Sequence, residues 1–148
     1  IEKMIREINE TLAGRLLATG KVKYVDLWNQ NVEFIEQENA WPTPAVFIEF
    51  SPIEWGANHQ GELYFTESSV VLHIVTQWSG GTSNLDRDKD NHLEMLDVMD
   101  AIHKALRYVN GEHFKGMSLS STTMNHNHEE LVETIESYSY QGILNCNR

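Results

Sequence analysis

The chain has 148 residues and a mass of 17.0 kDa, room for one domain with a real core and little for a second, so residues 1–148 are read as a single domain. Eleven Lys and Arg against 22 Asp and Glu leave a formal charge of -11, a field that repels nucleic-acid phosphate and excludes direct sequence-specific DNA binding. Apolar residues make up 41% of the chain without any run near the roughly 20 residues that a membrane-spanning helix needs, and the first residues do not read as a secretory signal.

Ile1, Met4, Ile5, Ile8, Leu12, Leu16 and Leu17 recur at three- and four-residue steps, which predicts an amphipathic helix ending near Thr19 with Gly20 as its C-terminal cap. Lys21 to Trp28 alternates loosely and reads as a short strand. Pro42 and Pro44 fix an extended approach to a strand at Ala45 to Ser51, where Val46, Ile48 and Phe50 share one side. After a turn around Gly56 to Gly61, Leu63, Phe65 and Val70 to Val75 predict a long strand or a kinked pair. Val70 to Val75 is apolar on both faces apart from His73, the pattern of a central strand covered on two sides, by a neighbouring subunit or by strong curvature of the sheet.

Ser79 to Lys89 is a loop by composition. The next helix carries a stripe of Leu93, Leu96, Met99, Ile102, Leu106 and Val109, with Glu94, Asp97, Asp100 and Lys104 outside it, and stops at Asn110-Gly111. Met117 to Met124 is rich in Ser and Thr and predicts an exposed or edge strand. Asn125 to His128 would join it as a hairpin to a last strand at Leu131 to Leu144. The expected fold is α+β, a mainly antiparallel sheet with two amphipathic helices in the order α-β-β-β-(β)-α-β-β.

Chemical motifs are weak. Gly14 with Gly20-Lys21 has the wrong spacing for a phosphate loop and lies at a helix end. Asp86, Asp88 and Asp90 are spaced like calcium ligands, yet Asn91 replaces the required Gly and Asp97 the bidentate Glu, so a solvated helix start is the better reading. His126 and His128 form the tightest histidine pair. Alternate strand residues share a face, so the two are weak candidates for a metal, with Glu129 or Glu130 nearby, although zinc normally takes at least three protein ligands. His92 and His103 read as helix-face residues, and His73 as a hydrogen-bonded core histidine. No nucleophile elbow is present, and the single cysteine, Cys146, can form no internal disulfide, which fits a reducing compartment. No catalytic residue and no cofactor are expected. Trp28 and Trp41 read as core; Trp55 and Trp78 border Gly-rich turns, where an indole either folds over the core or meets a partner.

An N-terminal amphipathic helix, WPTPAVFIEF at 41–50, VVLHIV at 70–75, a Gly-Ser loop, the helix NHLEMLDVMDAIHKAL at 91–106, and NHNHEEL at 125–131 leading to SYSY at 137–140 run through nearly the full length. In that order they resemble the tail terminator, or tail completion, family of long-tailed bacteriophages and prophages, also called minor tail proteins. The resemblance implies a ring, commonly of six subunits, that caps the tail tube, stops its polymerisation and joins it to the head without catalysis. Its implied partners are further copies of the chain, the tail tube protein and head-tail connector proteins; its implied location is the virion tail, after the bacterial host cytoplasm during assembly. An acidic channel wall would let DNA pass without sticking, and Glu94, Asp97 and Asp100 are the candidate exposed acidic positions. The alternatives are a neighbouring head-tail joining protein, or a small ligand- or metal-binding protein using the His126/His128 turn.

Overall fold

The computed structural model describes residues 2–28, 42–57, 63–64, 67–77, 94–128 and 131–142; the accounts of 56–57, 63–64, 77, 94, 125–128 and 131 concern the backbone alone. The elements are α1 (Glu2–Ala18), β1 (Tyr24–Leu27), β2 (Ala45–Phe50), β3 (Gly56–Ala57), β4 (Leu63–Tyr64), β5 (Ser68–Gln77), α2 (Glu94–Ala105), β6 (Phe114–His128) and β7 (Leu131–Gly142). Five strands form one sheet in the order β1-β2-β5-β7-β6, parallel between β1 and β2 and antiparallel elsewhere, while β3 and β4 make a separate two-stranded ribbon. The α+β architecture and the order of elements are those the residue pattern predicts.

Helix α1 buries Met4, Ile8, Leu12 and Leu16, a stripe with steps of four that leaves Glu2, Lys3 and Glu10 in solvent. Each such side chain contributes roughly 1.5–3 kcal/mol of burial. The helix ends in a left-handed Gly20 (φ 75°), whose N–H donates to Leu17 O at 3.2 Å while Thr19 Oγ1 donates to Leu16 O at 2.7 Å. A cap therefore accounts for the glycine that weakly suggested a phosphate loop.

Register assigns the faces. Phe50, Ile48 and Val46 of β2 lie opposite Val70, Leu72 and Ile74 of β5, and these opposite Tyr138, Glu136 and Thr134 of β7. On this face both helices pack, and the α1 stripe, Val98, Ile102, Leu106, Val109, Phe114, Tyr138 and Tyr140 complete the main core. The two helices also meet directly, where Arg15 Nη1 donates to Ala105 O at 3.3 Å.

The far face of β5 is covered from within the chain. Ala45, Phe47 and Val75 are fully buried, packed by Tyr24 and Trp28 at the β1 end. Trp28 is only partly buried, so it serves as a lid over this second cluster and not as the core residue expected of it. The two-sided character of Val70 to Val75 thus does not by itself call for a neighbouring subunit.

Three further expectations change. The buried stripe of α2 is Met95, Val98, Ile102, Leu106 and Val109, whereas Leu96 is exposed and Met99 half-buried. The difference is confined to the first turns, where Met95 and Val98 take the inward places expected of Leu96 and Met99, while Ile102, Leu106 and Val109 are buried as expected. Strand β1 starts at Tyr24, after a buried Val22. Asn125 to His128 is not a connecting turn: β6 runs on to His128, which pairs with Leu131. The described part of β7 runs to Gly142, opposite Phe114, and the expected continuation to Leu144 lies outside the described residues. Trp41, Phe65, Trp78, the Ser79–Lys89 loop, His92, Leu93, Glu129, Glu130 and Cys146 lie outside the described residues, as do Asp86, Asp88 and Asp90.

Candidate functional site

Strand β6 is the long free edge of the sheet. It is fifteen residues long, and every residue from Ser118 to Met124 is exposed, uncharged, and apolar at Leu119 and Met124. Its register against β7 shifts between Lys115 and Ser118 and again between Leu119 and Ser121, bulges that bend and twist the strand. The unused N–H and C=O groups of such an edge form a template for another strand.

Beside that edge, on the helical face, a cleft of about 500 Å³ is lined by Leu106, Tyr108, Val109, Met117, Leu119 and Tyr138. Tyr138 is buried, its hydroxyl has no hydrogen-bond partner among the described residues, and burial raises its pKa far above that of a free tyrosine. Tyr108 stands at the rim with φ 60°, a left-handed backbone that costs a non-glycine residue free energy, and with 83% of its surface in solvent. The short turn to β6 is held by Asn110, whose Oδ1 accepts the Gly116 N–H at 2.8 Å.

Two histidines carry buried electrostatics. His73 on β5 lies opposite Phe47 on β2 and Ile135 on β7, so Glu49 and Glu133, two residues along those strands, flank it on the same face. Its Nδ1 is 2.8 Å from Glu133 Oε2 and its Nε2 2.8 Å from Glu49 Oε1, and Trp28 stacks flat on the ring at 3.7 Å. Burial alone would lower the pKa of His73, but the hydrogen bonds and negative charges of Glu133 and then Glu49 outweigh it and raise the pKa above the ordinary histidine value. With both nitrogens donating to carboxylates, neither is left to take a proton from a substrate. The core reading of His73 stands, and what the arrangement does is tie three strands together.

His103 on α2 is more than a helix-face residue. Its Nε2 lies 2.8 and 2.7 Å from the two oxygens of Glu136, a carboxylate with no exposed surface that also accepts from Thr122 Oγ1 at 3.1 Å. An inward glutamate among Thr134, Tyr138 and Tyr140 on one strand face is a sequence signal for a hydrogen-bonding partner, and His103, next to the buried Ile102, is that partner.

The other sequence candidates scatter. Trp55 is 44% exposed in the segment after β2. Asp97 and Asp100 are exposed on the outer side of α2, where Asp100 pairs with Lys104 at 2.9 Å; Glu94 opens the helix. His126 and His128 lie at the end of β6, where the register against β7 shifts between Asn125 and His128, so alternation alone does not put the two on one face. No family model matches the chain, and no curated protein matches it.

Proposed function

We propose that the chain is a structural protein of a long-tailed phage or prophage, a tail terminator that assembles as a ring on the end of the tail tube, stops its growth and joins it to the head. The observation that carries this reading is a sheet that, among the described residues, has two unlike open edges, four-residue β1 at one side and the long β6, uncharged from Gly116 to Met124, at the other. Across the sheet β1 and β2 run one way and directions then alternate, so β6 runs opposite to β1. A neighbour that sets its β1 against this β6 therefore extends the sheet as an antiparallel pair. Contacts of this head-to-tail kind, between two different patches, repeat around an axis and close into a ring. Leu27 on one edge and Leu119 and Met124 on the other, each 39–49% exposed, supply apolar contact, and alternate side chains of an added strand would lie over the neighbouring cleft.

In this reading the function is interfacial, with the tail tube protein and a head-tail connector as the further partners, and the ring belongs to the virion tail after assembly in the host cytoplasm. Asp97 and Asp100, exposed on α2, are with Glu94 the acidic positions of the sequence that would repel DNA if this face of the ring lined the channel. Light scattering over a wide concentration range with negative-stain images tests the proposal. The expected result is closed rings of about six subunits, as the family resemblance implies, reduced to monomers with unchanged circular dichroism in the double variant Leu119→Lys, Met124→Lys. A strict monomer at every concentration, or rings indifferent to the two lysines, would overturn it.

A further inference from the structure

We infer that Glu7, Glu112 and His113 form a zinc site that clasps α1 to the turn between α2 and β6. Among the described residues these are the three metal-binding side chains that come together, one donor atom from each lying within 4.8 Å of the others. A Glu-Glu-His set supplies the carboxylate and imidazole ligands that zinc accepts, with a fourth position open to water.

The geometry between His113 and Glu7 favours an ion over a hydrogen bond. His113 Nδ1 lies 3.4 Å from Glu7 Oε2, within ion-pair distance, yet it is shut off from solvent and has no hydrogen bond of good geometry among the described residues. Two ligand atoms each about 2.0–2.1 Å from a tetrahedral ion stand about 3.4 Å apart, so the spacing that is poor for the one interaction is right for the other.

Glu7 is also prepared as a ligand. The main-chain N–H groups of Glu112 and His113 donate to its two oxygens at 3.1 and 2.9 Å, which fixes the carboxylate and leaves lone pairs on each oxygen, as outer hydrogen bonds do around metal ligands. Gly111 leaves the space, since a Cβ there would stand 2.3 Å from Glu7 Oε1. Glu112 is exposed and free to swing in as the third ligand.

Calorimetric titration of chelator-treated protein with zinc, and cobalt titration followed by visible absorption, provide the test. The expected result is one ion per chain and a tetrahedral cobalt spectrum, with affinity reduced at least tenfold in His113→Ala and in Glu112→Gln, and unchanged in the double variant His126→Ala, His128→Ala. Circular dichroism of each variant confirms that the chain is folded; His113 and Glu112 are partly or fully exposed, so neither change removes core. Absence of saturable binding overturns the proposal, as does binding that survives His113→Ala or that is lost with His126 and His128. The site is independent of the ring, whose assembly is read separately by light scattering.

Discussion

Replacing His73 by Ala tests the buried triad most directly. The substitution leaves Glu133, with 10% of its side chain exposed, without its cationic partner, and Glu49, 44% exposed, free to turn to water. Breaking a buried pair from one side costs about 3–5 kcal/mol. Only Glu133 is buried enough to bear that cost in full, so about 3 kcal/mol is expected, with loss of the Trp28 stack included. Domains of this size are stable by about 5–15 kcal/mol, so the effect is large. The pH dependence carries the second half of the argument. The folded-state pKa of His73 is raised, so its stabilisation is fully present below the unfolded value of about 6.5 and is lost as pH rises through the folded value. Urea titrations followed by tryptophan fluorescence at pH 6 and at pH 9 should show the wild type losing stability between the two, and His73→Ala losing less. A cost below about 1 kcal/mol at pH 6, or the same pH slope in both proteins, would refute the reasoning.

Three further outcomes are expected. His103→Ala strands Glu136 with Thr122 as its remaining partner; because 35% of the His103 side chain is exposed, the expected loss is discounted to about 2 kcal/mol in urea unfolding. Gly14→Ala, with nothing within 4 Å of the added Cβ, should stabilise α1 by about 0.5–1 kcal/mol, whereas Gly111→Ala should cost about 1–3 kcal/mol by driving into Glu7 and Phe114; equal thermal shifts for the two would contradict the packing. Tyr108→Gly relieves a left-handed tyrosine and should raise stability by about 1 kcal/mol, and a fall in the melting temperature would show that the exposed ring is held by contacts that this backbone argument omits.

Periodicity made the helices and the order of strands legible in the sequence because it is set by local geometry. The α1 stripe at Met4, Ile8, Leu12 and Leu16 and the exposure of Ser118 to Met124 follow the sequence pattern, whereas Leu17, expected in the stripe, is exposed and Met117, expected on the exposed strand, is buried. Helix α2 shows where this stops: Met95 and Leu96 are equally apolar, and only the sheet decides which turns inward. The electrostatic pairs were hidden for another reason. Glu133 lies 60 residues from His73, and Glu7 lies 105 and 106 residues from the two N–H groups it accepts, so cross-strand register and helix packing must exist before these groups meet. His73 alone announced itself, as a polar residue inside an apolar strand. The two edges were half visible: the Ser- and Thr-rich stretch signalled β6, but nothing local shows that β1 pairs in parallel.

That parallel pairing sets the order in which the sheet comes apart. Strands β6 and β7 pair along most of their length, and β7, β5 and β2 each have a neighbour on both sides. Strand β1 has four residues, one neighbour and a crossover to reach it. Low-energy openings begin at such elements. The amides of Tyr24–Leu27 should therefore exchange with solvent deuterium first, and each opening carries Trp28 off His73, so the sheet frays from the β1 side while the β6 side keeps its shape.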